Sequence, residues 1–297
     1  MATLPDLALL RVFEYVAADN LDDLVSAGQV CRHWRRVAAS EQLWRRRRLK
    51  CHGMATEAFT RVVSFAPRLH SLDVCWINQI SPEDRVIRKR ALLASRSKLR
   101  RLTGVMCHRD SDWTHGLLAL HAEHLRELEV STADREALQA VGNMPLLHAL
   151  HVSGWDPGLE KDPYIYPARP DGPNRGPNTG TRVTGEDRGL ERLEVRGLPK
   201  ETTVSMLRAN RRSLRKLTLN VGTPSDQHNA PGWPKTCSDL AQLLQACGLQ
   251  NLKEITLTRY GGCFHSDTDC MKQRKSLEQH LECCNVQCSD CNPFSFA

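Results

Sequence analysis

One pattern constrains this chain more than any other: leucine-x-x-leucine-x-leucine, with isoleucine or valine as substitutes, recurs seven times past residue 60. The instances are LHSLDV from Leu69, LRRLTGV from Leu99, LRELEV from Leu125, LHALHV from Leu147, LERLEV from Leu190, LRKLTL from Leu214 and LKEITL from Leu252. Alternate residues of a strand point to opposite faces, so each segment buries its leucines on one side and shows the residues between them on the other. The starts are 30, 26, 22, 43, 24 and 38 residues apart. A unit of that length cannot bury its apolar face alone, and roughly three must stack before a core closes. Amphipathic stretches such as REALQAV and SDLAQLLQAC lie between the segments, and QACGLQNLKEITL runs from helix to strand. The expectation is an α/β fold of short parallel strands joined by helices. The second repeat is the weakest, because Gly104 stands where an inward leucine is due. The two long spacings hold insertions. Asp156–Gly189 has six prolines and six glycines in 34 residues, with Tyr164 and Tyr166 its only aromatics, and is expected to form neither helix nor strand. The other insertion is a loop at 222–235.

Hydrophobic residues make up 40% and charged residues 25% of 297 residues, which excludes a fibrous or wholly disordered chain. No apolar run reaches the length of a membrane-spanning helix. The N-terminus has no basic leader ahead of its apolar stretch, and there is no N-x-S/T sequon. A cytoplasmic or nuclear location is expected, with the 12 cysteines reduced or metal-bound. The net charge of +7 is blocky. Residues 32–50 hold Arg32, Arg35, Arg36, Arg45, Arg46, Arg47, Arg48 and Lys50 against Glu41 alone, and Arg85–Arg101 holds eight basic residues and no acid. Solvated helix faces are favoured over a partner-binding patch, with nucleic acid the minor part of the latter.

The first 50 residues read as three short helices. Leu9, Leu10, Phe13 and Val16 follow Pro5 at helical spacing. Asn20 is placed to cap the next helix, with Asp22 and Asp23 in its first turn. VCRHWRRVA puts Val30, Trp34 and Val37 on a third apolar face. So small a module cannot bury two tryptophans and several leucines alone, which implies a partner that completes the core. LPDLALLRVFEYV, NLDDLVSAGQVCRHWRRVAAS and EQLW together resemble a complete F-box, from Leu4 to Trp44. The resemblance implies docking on the Skp adaptor of a cullin-RING ubiquitin ligase, with Leu4, Pro5, Leu9, Val12, Phe13, Leu24, Val30, Cys31, Trp34 and Trp44 as the adaptor-facing or motif-core set. Trp34 and Trp44 read equally as core or interface, and Cys31 as a packing residue. Gly28, in a stretch where the family is more apolar, is expected to weaken the second helix. The repeats behind this module look like the leucine-rich array common after F-boxes, a horseshoe with short parallel strands on its concave face.

No phosphate loop, zinc-protease motif or nucleophile elbow is present. His108-Arg109-Asp110 spells the kinase triplet without its companions. The C-terminus concentrates Cys263, Cys270, Cys283, Cys284, Cys288 and Cys291, with His265 and His280 among them. Cys288-x-x-Cys291 has the chelate spacing of zinc or iron-sulphur sites, and Cys263-x-His265 makes a poor second pair. Cys283, Cys284, Cys288 and Cys291 are the candidate metal ligands, with reduced thiols in a capping tail as the competing reading.

The sequence therefore divides into an F-box at 1–50, leucine-rich repeats at 51–262 and a Cys-rich segment at 263–297. Its expected role is that of a non-catalytic receptor, with no catalytic residues. The module would hold the Skp adaptor and through it cullin, and the array would hold a target protein. Glu127, Glu129, His151, Arg192, Glu194, Arg196 and Lys216 are the target-facing candidates, acidic early and basic late. The alternatives are a leucine-rich scaffold working outside a ligase and a metal or redox sensor gated by the cysteines.

Overall fold

The computed structural model describes residues 5–45, 47–154, 157–167, 189–224, 232–259, 265–281 and 284–291. The chain divides into two compact units, Met1–Glu129 and Val130–Ala297.

The first unit opens with α1 (Asp6–Asp19), α2 (Leu21–Ala27), α3 (Arg32–Ala38) and α4 (Glu41–Trp44). Asn20 caps α2 as its sequence suggests, its side-chain oxygen accepting from the Asp22 amide at 3.0 Å. The third helix begins at Arg32, so Val30 precedes it and is exposed instead of sharing a face with Trp34. Strand β1 (Arg48–Lys50), α5 (Thr56–Phe65), β2 (Ser71–Asp73), α6 (Pro82–Leu93), β3 (Arg101–Met106) and α7 (Ser111–His121) follow. β1, β2 and β3 pair in parallel and in chain order, with Leu49, Leu72 and Leu102 in register and buried. α5 closes the core under the first four helices: the Phe65 ring lies 6.2 Å from that of Trp44, and Arg61 pairs with Asp22 at 2.5 Å. The core is thus completed by the chain's own next helix and not by a partner. Gly28 explains part of this fit. A Cβ there would stand 2.7 Å from Phe65, so the residue expected to weaken α2 is what lets α5 approach.

Strand β4 (Glu127–Ser131) lies at the boundary of the units. In the second unit come α8 (Arg135–Gly142), β5 (Ala149–Ser153), α9 (Pro157–Lys161), β6 (Arg192–Arg196), α10 (Lys200–Ala209), β7 (Lys216–Asn220), α11 (Leu240–Ala246), β8 (Glu254–Thr258), α12 (Asp267–His280) and β9 (Asn285–Cys288). β5 to β9 pair in parallel and in chain order. Their register stacks Leu150, Leu193, Leu217, Ile255 and Val286 into one buried row. All seven L-x-x-L-x-L segments are strands, β2 to β8, and β1 and β9 are strands that the pattern did not reveal. Buried Asn210 ties turn to helix: its Oδ1 accepts from the Leu190 amide and its Nδ2 donates to the Met206 carbonyl. The Pro/Gly-rich insertion is not wholly without structure. α9 forms within it, Leu159 and Tyr166 are buried, and the Tyr166 amide donates to Ser205 Oγ at 2.9 Å. Two apolar anchors suffice to fix that end, while residues 168–188 lie outside the described set. Of the loop at 222–235, Trp233 is held by its indole N–H donating to the Leu198 carbonyl at 2.8 Å.

Candidate functional site

Among the described residues, two places bring chemistry-bearing residues together, one in each unit. In the first, the residues expected to meet an adaptor separate by burial. Leu9, Phe13, Leu24 and Trp44 are core, and the Trp44 indole N–H donates to the Ala38 carbonyl at 2.8 Å. They shape the module from inside, which places them on the motif-core side of the set and not among its adaptor-facing members. Trp34 is half-buried, edge-on to Phe13 at 5.4 Å. Pro5, Val12, Val30 and Cys31 are exposed, and Leu4 lies outside the described residues. Cys31 does not pack; its Sγ accepts from the Trp34 amide at 3.4 Å and caps α3. Two further apolar residues, Leu7 and Tyr15, are 69% and 78% exposed. At 100° per residue they fall with Val12 on the arc of α1 opposite Leu9, Phe13 and Ala17. That angular reading was open to the sequence alone. What hid it was that an apolar residue cannot be told from a core residue until its neighbours are placed.

Residues 1–50 match the F-box-like family. The exposed arc of α1 therefore belongs to an F-box-like domain, and such a domain points to an adaptor-binding role. Among curated proteins none matches the chain.

The basic runs near this domain are largely spent inside the unit. Arg36 pairs with Asp6 at 2.8 Å, Arg48 with Asp73 at 2.7 Å, and Arg47 donates to the Glu14 carbonyl at 3.0 Å. Arg88 is buried and donates to the carbonyls of Cys51 and Met54 and to Thr56 Oγ1. Lys89 pairs with Asp110 at 2.7 Å and sits over the Trp113 ring. Asp110, the last letter of the kinase-like triplet, also caps α7 through the Trp113 amide.

On β4 to β8 the strand residues between the leucines are half-buried or exposed, as alternation requires, whereas Ser71 and Asp73 on β2 and Thr103 on β3 are buried. Glu127 and Glu129 lie on β4, and Arg101 approaches Glu127 at 3.4 Å. In the second unit His151 lies beside Glu194 at 3.5 Å, Arg196 pairs with Glu194 at 2.6 Å, and Lys216 pairs with Glu254 at 2.6 Å. Arg192 is exposed between Ala149 and Lys216 in the register. Much of this charge is paired across strands, which leaves a smaller field than a plain run of arginines would.

The second place is at the C-terminal end. His265 precedes α12, Cys270 is in its first turn, Cys288 ends β9 and Cys291 follows it. Their ligand atoms all lie within 4.8 Å of one another. His265 Nε2 is 3.0 Å from Cys291 Sγ and 3.9 Å from Cys288 Sγ, and the sulfurs of Cys270 and Cys291 are 3.5 Å apart. Arg259 is buried beside them, donating to Cys270 Sγ at 2.8 Å and Cys288 Sγ at 3.4 Å. The Cys270 thiol and the Arg259 guanidinium hold the Cys288 thiol below its ordinary value. The expected ligand set is corrected at Cys284 and gains His265 and Cys270. Cys288 and Cys291 belong to the group, Cys284 does not and faces the Asn285 carbonyl, and Cys283 lies outside the described residues, as does Cys263. His265 and Cys270, separated by four residues, carried no chelate signature, because α12 must turn back before β9 brings the other two sulfurs to them.

Proposed function

We propose that this protein is a non-catalytic receptor subunit of a Skp-cullin-F-box ubiquitin ligase, working in the cytoplasm or nucleus. In this reading residues 1–50 hold the Skp adaptor and through it cullin, residues 51–262 are a leucine-rich array that holds a target protein, and residues 263–297 close the array. Other subunits transfer ubiquitin, and the receptor acts by raising the effective concentration of a target lysine near the charged conjugating enzyme. The observation that carries the reading is the F-box-like match over residues whose core is closed while Leu7, Val12, Tyr15 and Val30 are left outside it. Large apolar side chains left exposed outside a complete core favour a protein partner. The parallel strands built on L-x-x-L-x-L favour the leucine-rich assignment, and their outward residues, with Arg192 and Arg196 at the centre, are the surface offered to the target.

Co-expression with the Skp adaptor tests the first half: the full chain should co-purify with it at equal stoichiometry. A folded chain that passes through the column without adaptor rules the reading out. For the second half, targets captured by the wild type should be lost on paired Arg192→Glu and Arg196→Glu, while adaptor binding is unchanged. Capture that survives this change but fails on deletion of 168–188 moves the target site to the insertion.

A further inference from the structure

We propose that His265, Cys270, Cys288 and Cys291 bind one zinc ion, and that this ion locks α12 and β9 onto the end of the parallel sheet. Three thiolates and one imidazole are a donor set that selects zinc in tetrahedral geometry. Zinc–ligand bonds of about 2.0 to 2.3 Å place neighbouring ligand atoms of a tetrahedron about 3.5 to 3.8 Å apart. The separations here, 3.0, 3.5 and 3.9 Å with every pair inside 4.8 Å, bracket that edge. An iron-sulphur cluster spreads its ligands over separate irons and needs a wider ring of sulfurs.

The surroundings carry the second half of the argument. Arg259 is buried, and among the described residues it pairs with no carboxylate; its partners are the Val221 carbonyl, the Gln273 amide oxygen and the two sulfurs. Two of its N–H groups point at sulfurs, where thiolate charge stabilises a buried guanidinium. Zinc with three thiolates carries one net negative charge, and Arg259 neutralises it. His265 turns Nε2 toward the sulfurs and leaves Nδ1 on the side of Asp267, whose exposed carboxylate lies 3.8 Å away, beyond hydrogen-bond distance. Two of the four lie at the start of α12, in the connection between β8 and β9, and two at the far end of β9, so one ion fastens the crossover to the strand it leads into. A structural role follows, because all four positions are filled by protein and none is left for a substrate.

The test uses the full chain purified from zinc-supplemented medium under reducing conditions. Elemental analysis should find about one zinc per chain, and cobalt exchange should give the intense visible bands of a tetrahedral thiolate site. Cys270→Ser and Cys288→Ser should each lower bound zinc at least about tenfold, while Cys284→Ser keeps it. His265→Cys should retain the metal with a shifted cobalt spectrum. The cobalt spectrum of the wild type decides even if the serine variants do not fold. Wild-type protein that takes up neither zinc nor cobalt, a Cys270–Cys291 disulfide in freshly reduced protein, or zinc lost with Cys284→Ser and kept with Cys270→Ser overturns the assignment.

Discussion

Gly104 sits at a φ of +75°, and a Cβ there would stand 2.5 Å from the backbone nitrogen of Cys75. The residue that made the second repeat look weak is the one that lets β3 lie against the chain after β2. Gly53 shares the left-handed conformation, at +79°, but has open space around it. Gly53→Ala should therefore cost only the conformational strain, about 1 kcal/mol, whereas Gly104→Ala should add overpacking and cost about 3 kcal/mol or more. Urea unfolding of both variants checks this, and equal losses would show that the close approach to Cys75 is relieved by movement. His121 makes a second point at this scale. Buried in α7, it has its imidazole held down to about 4 by desolvation. The folded state thus disfavours the charged ring. The stability this withholds from acid conditions is intact above pH 6.5 and is lost as pH falls from 6.5 toward 4, amounting to roughly 3 kcal/mol at the lower limit. His121→Gln should flatten the pH dependence of unfolding in that window while leaving other titrations in place.

Among elements, α1 and α6 show how one helix serves two purposes. α1 buries Leu9, Phe13 and Ala17 and leaves Leu7, Val12 and Tyr15 outside. Val12→Asp and Tyr15→Asp should change stability by less than about 0.5 kcal/mol yet abolish adaptor co-purification, and Phe13→Ala should cost about 3 to 5 kcal/mol. Thermal melts beside pull-downs separate the two classes. α6 comes from the sequence's second basic run, which reads as a solvated face. Arg88 departs from that: its fork satisfies two carbonyls and a hydroxyl from the segment leading into α5. Arg88→Leu strands these acceptors and should cost about 3 kcal/mol, and Arg88→Lys should not restore it, since one ammonium cannot reproduce the planar fork. Measured melting points of the two variants should agree within a few degrees of each other, both well below wild type.

Across the whole molecule the net charge of +7 invites a nucleic-acid role that the placement of the charges argues against. In the first unit Arg36, Arg47, Arg48, Arg88 and Lys89 are each held by a partner of the same unit. In the second, Arg196 and Lys216 face carboxylates. A duplex DNA titration at 150 mM salt should give only weak binding, with a dissociation constant on the order of 10⁻⁵ M or above. Submicromolar binding with a steep salt slope would show that the unpaired arginines form a surface after all.

What the sequence alone determined is local and periodic. Seven strands followed from L-x-x-L-x-L because a strand's alternation is written in consecutive residues, and the cap of α2 followed from Asn20 because capping spans three residues. The F-box-like module was legible for the same reason, its landmarks lying in one stretch of chain. The tertiary structure alone decided which apolar residues of that module are core and which are surface, since Phe65, brought back by α5, is what buries Trp44. It alone also assembled His265 and Cys270 with Cys288 and Cys291 beside Arg259. Those partners lie up to 32 residues apart, and no local spacing encodes a meeting that depends on β9 pairing with β8.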